Sequence, residues 1–138
     1  MRIVRFALLI LATALVGCGG SDAGADTSEP AGGDNAAECS PQGDVISVVA
    51  VAGSKNAFDK DCLAVRAGQA STLNLENPDN EPHNVSVFVE RGGENLFRGE
   101  IIGPEESTSY SLPAIEAGRY YFQCDVHPEM NGTFVSAE

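Results

Sequence analysis

The chain has 138 residues, with 20 acidic and eight basic side chains, so its formal charge is −12 at pH 7. Such an acidic chain is not expected to bind nucleic acid through the phosphate backbone. Its length fits one small domain rather than two.

The N-terminal segment has the pattern of an export signal. Arg2 and Arg5 precede an apolar run at residues 6–16, which is too short to cross a bilayer as a helix. Residues 15–18, Leu-Val-Gly-Cys, then resemble a lipobox. We therefore expect cleavage before Cys18 and lipidation of Cys18. The alternative is an ordinary secretory signal followed by an unrelated cysteine.

A polar stretch separates this signal from the rest of the chain. It is rich in Gly, Ala, Asp and Ser and has no hydrophobic periodicity, which is typical of a flexible acidic tether. We expect a signal peptide at 1–17, a lipid-anchored linker at 18–38 and a folded domain at 39–138. Cleavage leaves six basic and 20 acidic residues, a formal charge of −14 that anionic lipid headgroups repel. The lipid would therefore hold the exported protein at the cell envelope, on the periplasmic or outer face of a bacterial membrane.

The folded part consists of short strand-like runs separated by turn residues, and no window keeps a helical period. The runs lie at 45–51, 62–65, 71–76, 83–89, 95–102, 107–112, 118–124 and 132–137. This spacing predicts an all-β protein, an eight-stranded Greek-key β-sandwich. Alternation in the fourth run places Val85, Val87 and Val89 on one face. Residues 54–61 and 90–98 fit either a short helix or a loop.

Both histidines of the chain belong to one metal-binding pattern. His83 stands upstream of Cys124, His127 and Met130, which follow the spacing Cys-x2-His-x2-Met. One thiolate, two imidazoles and one thioether form the ligand set of a mononuclear blue-copper site, with a trigonal His2Cys group and a weak axial Met. Calcium or magnesium would need oxygen ligands instead. Singly, these residues would be a surface histidine, a core thiol and loop residues, but their joint order predicts a site for one Cu(I)/Cu(II) ion.

The segments around these residues resemble a known family. Residues 118–134, Gly-Arg-Tyr-Tyr-Phe-Gln-Cys-Asp-Val-His-Pro-Glu-Met-Asn-Gly-Thr-Phe, look like the last two strands and the ligand loop of a cupredoxin. Residues 82–85, Pro-His-Asn-Val, resemble the segment of that family that carries the first histidine ligand. The Cys-to-Met spacing is similar to the short ligand loop of amicyanins. The resemblance covers residues 44–137 in outline and implies a cupredoxin-like sandwich with one copper ion.

The resemblance also implies roles for the neighbours of the ligands. The backbone amide of Asn84 would donate to the Cys124 thiolate, and its side chain would brace the cysteine loop, which tunes the potential and fixes the ligands. Asp125 stands where this family commonly has Ser or Thr, and its carboxylate either accepts a hydrogen bond from Asn84 or faces solvent. Its charge would favour Cu(II) and lower the reduction potential. His127 would lie at the exposed apolar end as the electron exit.

Two of the four cysteines have no role in these assignments. With Cys18 lipidated and Cys124 a ligand, Cys39 and Cys62 remain. Because an exported protein enters an oxidising compartment, we expect these two to form a disulfide. A second metal site is the alternative, but no histidine is left to complete one.

These features predict a membrane-tethered one-electron carrier rather than an enzyme. Four protein ligands around one copper leave no open position for a small-molecule substrate. We expect a monomer whose redox partner has a basic docking face, although acidity that only maintains solubility is an alternative. A module that delivers or stores copper for an oxidase is the second hypothesis, which the scarcity of Met and His disfavours. A domain that has lost copper and serves only in protein interaction is the third.

Overall fold

The computed structural model describes residues 39–53 and 56–138, which form eight β-strands in two sheets and no helix. The strands are β1 (Val45–Val49), β2 (Cys62–Arg66), β3 (Ser71–Asn77), β4 (Ser86–Phe88), β5 (Asn95–Arg98), β6 (Glu106–Leu112), β7 (Gly118–Gln123) and β8 (Asn131–Ala137). The predicted all-β class and strand number are confirmed. Within this part of the chain, no helix is long and apolar enough to span a bilayer. The predicted signal, Cys18 and the linker at 18–38 lie outside the described residues.

The two sheets contribute one face each to a common core. One sheet has the order β1-β3-β6 and the other the order β2-β8-β7-β4-β5, and the chain passes repeatedly between them. Strand β1 runs parallel to β3 and β2 parallel to β8, whereas the other pairs are antiparallel. Strand β3 alternates buried and more exposed residues, as expected for a sheet with one buried face. The core contains Leu73, Leu75 and Leu112 from the first sheet and Phe122 and Phe134 from the second.

Strand β4 departs from the predicted alternation. The pairing of β4 with β5 shifts register between Val87 and Phe88. Such an irregularity re-aims the side chains that follow it. Val85 and Val87 are fully buried, but Val89 is 44% exposed. The prediction that Val89 shares the buried face of Val85 and Val87 was therefore wrong.

The segments left open between helix and loop contain no helix in their described residues. Residues 90–94 form a turn and 95–98 form β5. Residues 56–61 are a loop in which Phe58 forms an isolated bridge with Ala50. This loop contacts the candidate site described below.

The predicted pairing of Cys39 with Cys62 is confirmed, because the structure joins them in a disulfide. The bond ties the first described residue to the first residue of β2. Among the described cysteines, Cys124 alone is free, and it is buried. Among the described residues, one free thiol is therefore left to bind a metal.

Gly132 is required where the last strand passes close to β2. A Cβ at this position would collide with the Asp61 carbonyl and with the Phe122 ring. The close approach lets the Thr133 amide donate to the Asp61 carbonyl, at 2.8 Å. Since Gly132 is the second residue of β8, which begins directly after the loop at 124–130, this contact fixes one end of that loop.

Candidate metal centre

Three of the four predicted ligands lie on one short loop between β7 and β8. Cys124 directly follows β7, and Met130 directly precedes β8. The amide of Cys124 donates to the Met130 carbonyl, and the amide of Met130 donates to the His127 carbonyl, both at 2.9 Å. These two hydrogen bonds close the loop, so that all three side chains stay at one end of the sandwich.

His83 reaches the same end of the sandwich from the segment before β4. Its amide donates to the Ile102 carbonyl at 3.1 Å, and the Ile102 amide donates to the His83 carbonyl at 2.9 Å. The His83 side chain is fully buried. The backbone bridge therefore fixes the imidazole from a segment distant in sequence from the loop.

The donor atoms of three predicted ligands converge. Nδ1 of His83 lies 3.8 Å from Sγ of Cys124, Nδ1 of His127 lies 4.0 Å from that sulfur, and the two nitrogens are 3.2 Å apart. Metal bonds to imidazole nitrogen and thiolate sulfur of about 2.0–2.3 Å allow such atoms to be up to about 4.3 Å apart. A single ion therefore fits between the three atoms.

Met130 lies on the apolar side of this cluster. It is 1% exposed and forms a small buried cluster with Ala50 and Cys124, against which Phe58 packs. Its location next to the cysteine is compatible with the predicted axial thioether. Coordination by Met130 remains a prediction.

Asp79 contacts the site, and the sequence analysis did not identify it. Its Oδ2 lies 3.3 Å from Nε2 of His83, and both side chains are buried. When Nδ1 of a histidine binds a metal, Nε2 carries the proton, so a carboxylate here fixes the tautomer and the ring orientation. The amide of Asn80, at 2.9 Å, is the main cause that lowers the pKa of Asp79, and the contact with His83 adds to it. The only signal in the sequence is an aspartate four residues before the histidine.

Asn84 joins the two segments that carry the ligands. Its Oδ1 accepts from the amide of Asp125 at 2.8 Å, and its Nδ2 donates to Oδ2 of Asp125 at 2.9 Å. Nδ2 also donates to the Gly99 carbonyl at 2.9 Å. Of the two expectations for Asp125, the structure shows the hydrogen bond from Asn84, and the Asn84 side chain braces the cysteine loop. The proposed bond from the Asn84 amide to the thiolate of Cys124 remains a prediction.

The loop after β1 supports the outer side of the ligand loop. Asn56 adopts a positive φ of 53°, and its Nδ2 donates to Oε1 of Glu129 at 2.8 Å. This bond is the main cause that lowers the pKa of Glu129. Phe58 packs against Phe122, with ring centroids 5.6 Å apart. The sequence analysis assigned no role to Asn56 or Phe58, because their contacts depend on how two distant loops meet.

Comparison with known proteins agrees with this arrangement. The sequence model of the cupredoxin-like domain family matches residues 31–135 of this chain. The chain belongs to the cupredoxin-like family. Among solved structures, dithionite-reduced auracyanin from Roseiflexus castenholzii superimposes with a TM-score of 0.61 and 19% identity, over 70% of this chain and 98% of that one. Auracyanin A from Chloroflexus aurantiacus, described as a blue copper protein, gives a TM-score of 0.57 and 20% identity, over 67% and 97%. These likenesses confirm the cupredoxin fold.

Two amicyanins are similar to this cupredoxin in sequence. The amicyanin of Paracoccus versutus is 33% identical over 73 residues, which are 53% of this chain and 52% of that one. The amicyanin of Paracoccus denitrificans is 33% identical over 82 residues, which are 59% of this chain and 60% of that one. The alignments thus span between half and three fifths of these relatives' own length.

Proposed function

We propose that this cupredoxin is a type 1 copper protein that carries one electron at a time. His83, Cys124, His127 and Met130 form a candidate copper site. The observation that carries the proposal is the convergence of two imidazole nitrogens and one thiol sulfur within 3.2–4.0 Å of one another. Thiolate, imidazole and thioether ligands in this combination are those of blue-copper electron-transfer sites. The description of auracyanin A as a blue copper protein supports the same assignment.

The surroundings of the four side chains suit a carrier better than a catalyst. Bound copper would supply the one-electron Cu(II)/Cu(I) couple. The protein holds His83 through Asp79 and through the backbone of Ile102, and it holds the cysteine loop through Asn84. These contacts restrict movement of the ligands, so little reorganisation would accompany a change of oxidation state. Four protein ligands would also leave no position for a substrate, which supports a role other than catalysis.

His127 is the ligand that we assign to electron exchange with a partner. It is partly exposed, whereas His83, Cys124 and Met130 are buried. Its chain neighbour Val126 is 42% exposed, which adds apolar surface next to the imidazole. A partner with a basic face would be attracted by the net charge of the chain. We propose a redox protein as that partner and a monomeric carrier.

We further propose that the protein is exported and tethered to a membrane. The proposal rests on the sequence: a signal at 1–17, a lipid on Cys18 and an acidic linker at 18–38 before the domain at 39–138. The wild-type chain is expected to incorporate labelled fatty acid in the expressing cell, and a Cys18→Ala variant is expected to lose that label. A wild type that takes up no label, or a Cys18→Ala variant that takes up as much as the wild type, would refute the lipid anchor.

Retention of copper during redox cycling separates a carrier from a delivery module. The test is repeated reduction and reoxidation of the copper-loaded chain in the presence of a Cu(I) chelator. A carrier is expected to keep its metal, because three ligands are buried and the loop is closed by hydrogen bonds. Transfer of the copper to the chelator within a few cycles would favour delivery instead.

A further inference from the structure

We propose that Arg98 is a positioning residue that sets, through Asp125, how strongly the copper site favours its oxidised state. The inference rests on the proposed function as a redox copper protein. It concerns a side chain at the end of β5 that binds no metal itself. Arg98 acts by pairing with a carboxylate next to the cysteine ligand.

All the side-chain contacts described for the Asp125 carboxylate involve one of its two oxygens. Oδ2 accepts from Nδ2 of Asn84 and from Oγ of Ser86, both at 2.9 Å, and lies 3.6 Å from Nε of Arg98. Oδ1 accepts no hydrogen bond from the described residues. The Asp125 side chain is 16% exposed. A formal negative charge is thus held, mostly shielded from solvent, one residue from Cys124.

The register of the sheet brings Arg98 to this carboxylate. Ser86 of β4 pairs with Arg98 of β5 on one side and with Gln123 of β7 on the other. Since Gln123 directly precedes Cys124, this cross-strand row ends at the metal site. The placement of Arg98 therefore follows from the pairing of three strands, not from proximity in sequence.

The other described cations have no comparable position. Lys60 pairs with Asp59 and Arg66 pairs with Asp44. Arg91 stacks on Tyr121 and hydrogen-bonds to its hydroxyl, whereas Arg119 is exposed and has no partner among the described residues. Within the described part of the chain, Arg98 is thus the cation paired with a carboxylate adjacent to a candidate ligand.

The pair has a predictable effect on the copper. The Asp125 carboxylate favours Cu(II) over Cu(I), and the guanidinium offsets part of that charge. Because the Arg98 side chain is 64% exposed and the contact is 3.6 Å long, the pair belongs to the weak, salt-screened class. Loss of Arg98 should therefore raise the Cu(II)/Cu(I) ratio at a fixed potential by at most about fivefold at low salt, and by less at high salt.

A double-mutant cycle tests whether Arg98 acts through Asp125. Arg98→Gln is made in the wild type and in Asp125→Asn, with Arg119→Gln as a control for the same change in net charge. Asp125→Asn is a clean removal of charge, because the single amide oxygen can occupy the position of Oδ2 and accept from Asn84 and Ser86. The readout is the reduction potential of the copper-loaded full chain, measured by spectroelectrochemical titration at low and high salt.

The expected result is a lower potential for Arg98→Gln in the wild type and a much smaller change in the Asp125→Asn background. Without the carboxylate, the exposed arginine is no longer held near the site. Arg119→Gln should leave the potential nearly unchanged. Equal shifts in both backgrounds, or a shift no larger than that of Arg119→Gln, would overturn the proposal.

A second measurement on the metal-free chain does not depend on copper. The NMR signal of Arg98 Nε–H should move and exchange faster in Asp125→Asn, but not in Arg119→Gln. An unchanged signal would show that the pair does not form and would overturn the proposal. A wild-type chain that never develops a thiolate-to-copper absorption band would overturn the proposed function and this inference together. If the wild-type chain is blue but Arg98→Gln has the same reduction potential as the wild type, only the inference would be overturned.

Discussion

The contact between Asp79 and His83 predicts that Asp79→Asn weakens copper binding. The carboxylate accepts from the amides of Asn80 and Gly53 through Oδ1, at 2.9 and 3.3 Å, and faces Nε2 of His83 through Oδ2. An asparagine has one acceptor oxygen. If it keeps the amide contacts, its NH2 group opposes the Nε2–H of His83, and if it turns, it abandons the amides.

The expected loss is about tenfold in copper affinity. Removal of a group that orients a metal-binding histidine costs about 10–100-fold. The contact here measures 3.3 Å, which is longer than the about 2.7–2.9 Å of a strong charge-assisted bond, so the lower end of that range applies. Both side chains are buried, so water cannot readily replace the missing acceptor.

Competition titrations with chelators for Cu(I) and Cu(II) measure this loss in both oxidation states. Asp44→Asn is the matched control, because it removes the same charge from an exposed side chain. Asp44 directly precedes β1 and pairs with Arg66. Affinity of Asp79→Asn within twofold of both the wild type and Asp44→Asn would refute the reasoning. It would mean that the ring of His83 is oriented by its backbone bridge alone.

Three further predictions concern the disulfide, the axial ligand and the charge next to the cysteine. Replacing Cys39 and Cys62 by Ala should lower the free energy of unfolding by about 3 kcal/mol, because the bond closes a loop with a sequence separation of 23 residues. Calorimetry should show a melting temperature lower by about 12–24 °C, and a shift of only a few degrees would contradict this entropic role. Met130→Leu should keep the fold, since it conserves core volume, but change the visible spectrum of the copper complex. An unchanged spectrum would show that Met130 is not a ligand. Asp125→Asn should raise the reduction potential, and an unchanged or lower value would contradict the assigned effect of its charge.

The predicted ligands could be found from sequence because their chemistry and spacing are local. Cys124, His127 and Met130 lie within one loop, and His83 is the only other histidine of the chain. The disulfide was predictable because, with Cys124 assigned as a ligand, two cysteines remain in a domain that the sequence predicts to be exported. The strands were predictable because short runs rich in β-branched and aromatic residues alternate with turn residues.

The contacts around the site depend on tertiary structure and were mostly missed. In the sequence, Asp79 has the pattern of a turn residue. Its contact with His83 depends on the direction in which the folded turn orients the carboxylate. Arg98 reaches Asp125 only through the register of β5, β4 and β7. The exposure of Val89 follows from a shift in register that no period-2 pattern contains. The missing information is the conformation of a turn for Asp79 and strand pairing for Arg98 and Val89, rather than residue type.

The most direct test of the copper assignment is an absorption titration of the full chain with Cu(II), beside a Cys124→Ser variant. We predict an intense visible thiolate-to-copper band that saturates at one equivalent, bleaches with ascorbate and returns on reoxidation. The Cys124→Ser variant should show no such band. A colourless wild-type complex, or a band that survives in Cys124→Ser, would contradict the central claim that Cys124 and the two histidines bind a redox-active copper.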